Sequence, residues 1–321
     1  DPLGRLHVVD ATAGEVRVFG ADGSHVRTYA RRGQGPGELS DPVGIAPGPD
    51  GAVWLLDVAN NRYTLYDTAG VHVADLPRPA SGYSKPWLGG FDETGRLADA
   101  TFRRSEAGNE LILVRWNVVL GGDDVVPRLS PADTIPLPRT PPDRFTVYEI
   151  DASGQRRGVS VAIPFSSGLR REFSPTGTIW EANTERYRLV EYIPGGDTVR
   201  RVERPHTAER VTTFQLDSAL AVLAERTSPE LSYDEERIPG EWPALESFFA
   251  DGAGLLWVRP IESPPVRGFD VHDSDGFRRV GSPVYIESNP RPQVRGDTLW
   301  GVTVGELGVQ RVVRTVLTAR R

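Results

Sequence analysis

The chain has 321 residues, 38% hydrophobic and 25% charged, with 34 glycines, 27 prolines and a formal net charge of −7 at pH 7. Its acidity works against general binding of nucleic acid or an anionic membrane. No stretch approaches the ~18 uninterrupted apolar residues of a transmembrane helix, and the absence of cysteine removes disulfides, thiolate metal sites and a cysteine nucleophile.

Glycine and proline at this abundance imply many turns and few long helices, which suits an all-β fold of short strands. A short phrase recurs along the chain: a Gly, two or three residues, a Trp, then an Asp or Asn that opens a turn. The first copy is Gly4-Arg-Leu-His7-Val-Val-Asp10, with His in the Trp slot. The second, Gly51-Ala-Val-Trp54-Leu-Leu-Asp57, lies inside a run of four short strands, Val43–Ala46, Val53–Leu56, Tyr63–Tyr66 and Val71–Leu76. Tight turns rich in Gly, Asn, Asp and Pro separate these strands, so each unit reads as a meander sheet. A lone sheet of this size cannot bury both faces, and neighbouring copies must stack on it.

The third copy, Gly95-Arg-Leu-Ala98, has neither the Trp nor the terminal Asp, which is Thr101. After it come a Pro-rich stretch, Leu129–Pro142, and a hairpin-like pair, Phe145–Ile150 and Val159–Ile163. The fourth copy is Gly177-Thr-Ile-Trp180-Glu-Ala-Asn183. Between it and the fifth, Gly254-Leu-Leu-Trp257, runs Asp217–Arg226, whose capping Asp and spaced apolar residues predict a helix. A shifted sixth copy is Gly296-Asp-Thr-Leu-Trp300.

Three intervals between marker glycines are 47, 44 and 42 residues, and the two long ones are 82 and 77. The expected architecture is therefore a single six-bladed β-propeller domain over residues 1–321, with blades of four antiparallel strands. Insertions are expected at about 121–163 and 205–244, the second helical and between blades four and five. A seventh, degenerate blade in the first insertion is the alternative. Asp1 falls just before a marker Gly, so the first blade lacks its innermost strand. The last blade, Gln293–Arg295, Thr298–Val304 and Val309–Thr318, stops without an outer one. About a dozen or more residues preceding Asp1 are expected to complete the closure.

The string Arg32-Gly33-Gln-Gly35-Pro-Gly37-Glu-Leu39, Pro42-Val-Gly-Ile-Ala46, Asp50-Gly51 and Asp57-Val-Ala-Asn60-Asn61-Arg62 closely resembles an NHL repeat, and Tyr66-Asp67-Thr-Ala-Gly70 continues the match. Asn183–Arg188 is the next best copy after the first repeat, Gly4–Gly23. The whole chain is similar to bacterial six-bladed propellers with NHL and TolB-like repeats. That resemblance implies an exported protein, periplasmic or extracellular, and leaves the activity open, because propellers host binding, scaffolding and enzymatic roles alike.

Candidate chemistry is sparse. The marker strands end at Asp10, Asp57, Thr101, Asn183, Pro260 and Thr303. Asp10, Asp57 and Asn183 are the hard-oxygen residues a Ca²⁺ ion would use, but Pro260 and Thr303 break a symmetric cage, and Asp or Asn here serve as turn caps. No cofactor is expected. The histidines do not converge: His25 and His72 take outer hairpin positions, His272 lies near a similar turn, His7 fills a Trp slot and His206 opens the helical insertion. No nucleophile elbow, zinc-protease motif or phosphate-binding loop is present. Arginine pairs such as Arg170-Arg171 and Arg278-Arg279 lack interleaved aromatics, so they read as solvated blade edges.

The long insertions are the most individual parts of the chain, and loops of that length are usually functional. The expected function is a non-catalytic interaction or scaffold subunit, in a larger complex that meets a membrane only through a partner or a preceding segment. The interaction residues expected are Leu220, Leu223 and Tyr233 in the helical insertion and Phe145 and Tyr148 in the hairpin. A propeller hydrolase, lactonase or lyase with an axial metal is the alternative enzyme. A small-molecule or glycan binder is the third reading.

Overall fold

A computed structural model of the chain describes residues 1–321 except 2, 50, 80–86, 88, 106–107, 120–126, 137–143, 151–155, 227–233, 263–267, 289, 306 and 320–321. It forms an all-β propeller of six antiparallel blades with a helix between blades four and five. The chain divides into two compact units, residues 1–138 with 175–177 and residues 139–174 with 178–321.

In the first unit, blade 1 is β1 (Leu6–Asp10), β2 (Glu15–Phe19) and β3 (His25–Tyr29). Blade 2 is β4 (Pro42–Pro47), β5 (Val53–Asp57), β6 (Arg62–Tyr66) and β7 (His72–Pro77). Blade 3 is β8 (Gly90–Phe91), β9 (Leu97–Ser105), β10 (Gly108–Val119) and β11 (Arg128–Pro136). Leu129–Pro136 of the Pro-rich stretch is thus the outer strand of blade 3, and its remaining residues lie outside the described ones. Pro131 and Pro136 are tolerated there because an outer strand needs ladder bonds on one side only, and the register shifts by a residue opposite Arg115 and Trp116.

The second unit opens with a separate two-stranded hairpin, β12 (Arg144–Ile150) and β13 (Arg156–Ala162). Among the described residues the long interval between the third and fourth markers therefore holds a hairpin and no seventh blade. Blade 4 is β14 (Leu169–Phe173), β15 (Ile179–Asn183), β16 (Arg188–Tyr192) and β17 (Thr198–Glu203). Helix α1 (Thr213–Arg226) follows. Blade 5 is β18 (Leu245–Ala250), β19 (Leu256–Pro260), β20 (Gly268–His272) and β21 (Phe277–Gly281). Blade 6 is β22 (Gln293–Arg295), β23 (Thr298–Val304) and β24 (Gln310–Val316), and β25 (Thr318–Ala319) turns back to pair with β21. Among the described residues the first and last blades have three strands each.

The recurring phrase is a turn device. All six marker glycines lie at φ between 62° and 83°, a left-handed region that a Cβ penalises. Three residues before several of them stands an Asp whose carboxylate organises the turn. Asp92 Oδ1 accepts from the amides of Thr94 and Arg96 at 3.0 and 2.9 Å. Asp251 Oδ1 does the same for Ala253 and Leu255 at 2.9 and 3.0 Å. The Trp that follows is core: Trp54 and Trp180 are fully buried, and Trp54 meets Phe91 edge-on at 5.1 Å. Where blade 3 has only Ala98 in the slot, Trp87 covers it and donates its indole N–H to the Ala98 carbonyl.

Helix α1 starts four residues earlier than Asp217 would place it. Gln215 Oε1 accepts from the Thr212 amide at 2.9 Å, and Thr212 Oγ1 accepts from the Gln215 amide at 3.3 Å. This reciprocal capping box satisfies two amides that the first turn leaves unpaired, so Asp217 falls inside the helix. Replacing Thr212 with Ala is expected to destabilise α1 by about 1 kcal/mol. Amide exchange in the first turn should accelerate correspondingly while blade amides stay unchanged.

Candidate binding cleft

Two buried ion clusters tie adjacent blades, one in each unit. In the first, Arg78, just past β7, forks onto Asp99 of β9 with contacts of 2.6 and 3.0 Å, and also donates to the Ala100 carbonyl at 2.9 Å. Tyr63 donates to the same carboxylate at 2.5 Å. Both members of this pair are almost wholly enclosed. In the second, Arg204, just past β17, binds Asp270 of β20, and Tyr187 donates to that carboxylate at 3.1 Å. Arg279 reaches Asp270 at 2.8 Å and pairs with Glu262. Each clamp therefore joins an Arg leaving the outer strand of one blade to an Asp in the next. The Tyr comes from the turn or strand that precedes that outer strand.

The second clamp carries His272, whose Nε2 lies 2.8 Å from the Tyr187 hydroxyl. Burial pushes this imidazole down to about 4, with Asp270 opposing and Arg204 assisting the shift. Burial likewise pushes the Tyr187 phenol well up. The folded protein thus refuses a proton that the unfolded chain accepts from about pH 6.5 downward, and stability should fall as pH drops from about 6.5 to about 4. His7, also pushed down to about 4 by burial, adds a slope of the same sign. Urea midpoints across this window should show the His272→Phe variant with a shallower pH dependence than the parent.

Above Tyr187 and Arg204 opens a cleft of ≈ 530 Å³, built wholly within the second unit. Four segments wall it. Phe165 and Ser167 come from the link between the hairpin and β14, and Glu185–Tyr187 from the β15–β16 turn. Glu203 to Ala208 continue β17, and Pro239 to Pro243 end the helical insertion. Phe165 sits at φ 59°, a conformation unusual for a bulky side chain, and such strain clusters at ligand clamps. Its ring meets that of Trp242 edge to face at 4.6 Å. Trp242 is fixed in turn: its indole donates to Gln215 Oε1 at 3.2 Å, and its amide to the Glu209 carbonyl at 2.8 Å. The helix cap therefore positions an aromatic wall of the cleft.

The residues expected to meet a partner are placed differently from one another. Phe145 and Leu223, 2% and 6% exposed, pack together with Ile163, and Leu220 packs partly buried against them. Arg237 lies 5.4 Å over the Phe145 ring. The two insertions thus cover each other, because the apolar stripe of α1 and the face of the hairpin fit one another, and neither Phe145 nor Leu223 presents a free surface. Tyr148 lies on β12 opposite Gly158 in the ladder, and Tyr233 lies outside the described residues. The outer face of α1 instead exposes Phe214 at 79% and Val222 at 46%.

Asp10, Asp57 and Asn183 are engaged in their turns. Asp57 is fully buried and accepts from the amides of Ser40, Asp41 and Asn60 and from the Asn60 side chain. Asp10 accepts from Thr12 and Ala13, and Asn183 from Glu185. Among the described residues no group of three or more acidic or histidine side chains is placed to hold a metal ion, and no helix is long and apolar enough to cross a membrane. The clamps and the cleft escape a reading of the sequence. Their local signal is the pair Arg62-Tyr63 and Arg186-Tyr187 around the start of the third strand of their blades, each followed by an Arg just past the outer strand.

No family model matches the chain, and no curated protein matches it. Among solved structures it is similar to a catalytically inactive virginiamycin B lyase of Staphylococcus aureus with quinupristin, at 13% identity and a TM-score of 0.41, over 97% of this chain and 81% of that one. It is similar to a candidate exported protein of Bacteroides fragilis at 12% identity and a TM-score of 0.46, over 93% and 76%. A calcium-binding regucalcin of Agrobacterium tumefaciens matches at 15% identity and a TM-score of 0.37, over 100% and 89%. Likeness at this level says nothing of activity, and the assignment of this chain to the six-bladed propellers rests on its strand pairing and its repeated turn.

Proposed function

We propose that this protein is a non-catalytic binding module, an exported propeller of the NHL and TolB-like kind, that holds a protein partner on the face built by its helical insertion. The observation that carries the reading is the aromatic-walled cleft under Trp242. It is concave, rigidly supported by the helix cap on one side and by the Tyr187–Asp270 clamp beneath, and these are the features of a preformed binding site. Phe214 stands one residue from the Gln215 that holds Trp242, so an exposed ring flanks the same support. Contacts of this kind, aromatic and partly apolar, dominate the energetics of protein interfaces.

Native protein isolated from its own host tests this by mass spectrometry of intact complexes. The parent should retain a stoichiometric partner, and Trp242→Ala combined with Phe214→Asp should lose it at unchanged circular dichroism. A partner retained equally by the double variant, or a free monomer that turns over a small molecule, would overturn the proposal.

A further inference from the structure

We propose that the group received by this cleft is a guanidinium or ammonium side chain carried by a basic segment of the partner. This inference rests on the protein-binding reading above and adds the chemistry of recognition. Three carboxylates line the cleft, those of Glu185, Glu203 and Glu241, and among the described residues none has a side-chain hydrogen bond or ion pair. Neither arginine of the lining forms an ion pair with them. Arg204 is committed to Asp270, with its guanidinium 5.0 Å over the Tyr187 ring and 4.0 Å over Phe277. Arg186 is left as the remaining arginine of the lining.

The aromatic wall matches the same ligand. Trp is the best cation–π acceptor, and no arginine of the described residues lies over Trp242, whereas Trp180, Tyr187 and Phe269 each hold one. Partner-free carboxylates at the rim and an indole that no arginine covers together select a cationic, hydrogen-bond-donating group. An anionic segment would meet the three glutamates. A neutral glycan would leave their charge uncompensated.

The test follows the indole N–H resonance of Trp242 in protein labelled with ¹⁵N-tryptophan, assigned by its loss in Trp242→Phe. The probes are blocked peptides of sequence Gly-Ser-X-Ser-Gly, with X as arginine, lysine, citrulline or glutamate, at low ionic strength. Arginine and lysine peptides should shift the resonance saturably and bind at least about fivefold more tightly than the citrulline peptide, with a preference that fades as salt is raised. The triple variant Glu185→Gln, Glu203→Gln, Glu241→Gln should lose that preference while keeping its fold. Equal binding of the citrulline peptide, or tighter binding of the glutamate peptide, overturns the cationic assignment while the cleft remains a binding site. If no peptide shifts Trp242 but the native partner is still lost in the Trp242 and Phe214 double variant, the cationic assignment fails and the protein-binding reading stands. If the arginine peptide binds and the native partner is indifferent to that variant, the assignment of charge holds and the partner reading fails.

Discussion

Replacing Asp99 with Ala should cost about 3–5 kcal/mol. The carboxylate is fully buried, and four donors reach it: two guanidinium nitrogens of Arg78, the Tyr63 hydroxyl and the Ala100 amide. Removing it takes two contacts, at 2.6 and 3.0 Å, from a guanidinium that is almost wholly enclosed. Water cannot enter cheaply, because Trp87, Leu76 and Leu97 belong to the surrounding core. Asp99→Asn should fall almost as far, since it keeps the shape and removes the counter-charge. The double change Arg78→Met, Asp99→Leu should recover most of the loss, because replacing both members of a buried pair is often near neutral. Urea denaturation of the three variants decides the matter. A single variant within about 1 kcal/mol of the parent would mean that solvent reaches the pair despite its enclosure.

Phe145→Ala should loosen the helical insertion without unfolding the blades. The ring is 2% exposed and forms the shared core of hairpin and helix with Ile163 and Leu223. Truncating a buried Phe typically costs about 3–5 kcal/mol through lost burial and the cavity that remains. Here the loss should be local, because this small cluster is separate from the core clusters of blades 4 to 6. Native-state hydrogen exchange should show α1 amides losing protection while β15 and β19 keep theirs. Since Gln215 on α1 holds Trp242, retention of the partner should weaken in the same variant. Uniform loss of protection across the blades would show that the insertions are part of the propeller's own cooperative unit.

The marker turns, the blade count and the existence of a helix were legible in the sequence, for local reasons. A backbone at φ near 80° favours glycine wherever it occurs, and an amphipathic helix writes its period into about a dozen residues. The start of α1 was also written locally, as Thr212-Thr-Phe-Gln215, but Asp217 offers a competing cap, and the two signals are of similar strength until the chain's direction is fixed. The Pro-rich outer strand of blade 3 was not legible, because proline argues against a strand unless one edge is known to be free. The same holds for Phe145 and Leu223, whose apolar character is plain while the surface they bury against is not.

What the sequence by itself determined is the repeated turn and the six antiparallel blades. Asp10, Asp57 and Asn183 bond to amides within a few residues of themselves or of the preceding strand. Only the tertiary structure decided that the insertions cover each other, that Arg78 meets Asp99 and Arg204 meets Asp270, and that Phe165, Tyr187 and Trp242 wall one cleft. Local hydrogen bonding and φ preference act over a few residues and leave a readable pattern. Burial and charge pairing act between residues tens of positions apart, and they take their partners from whichever surfaces packing brings together.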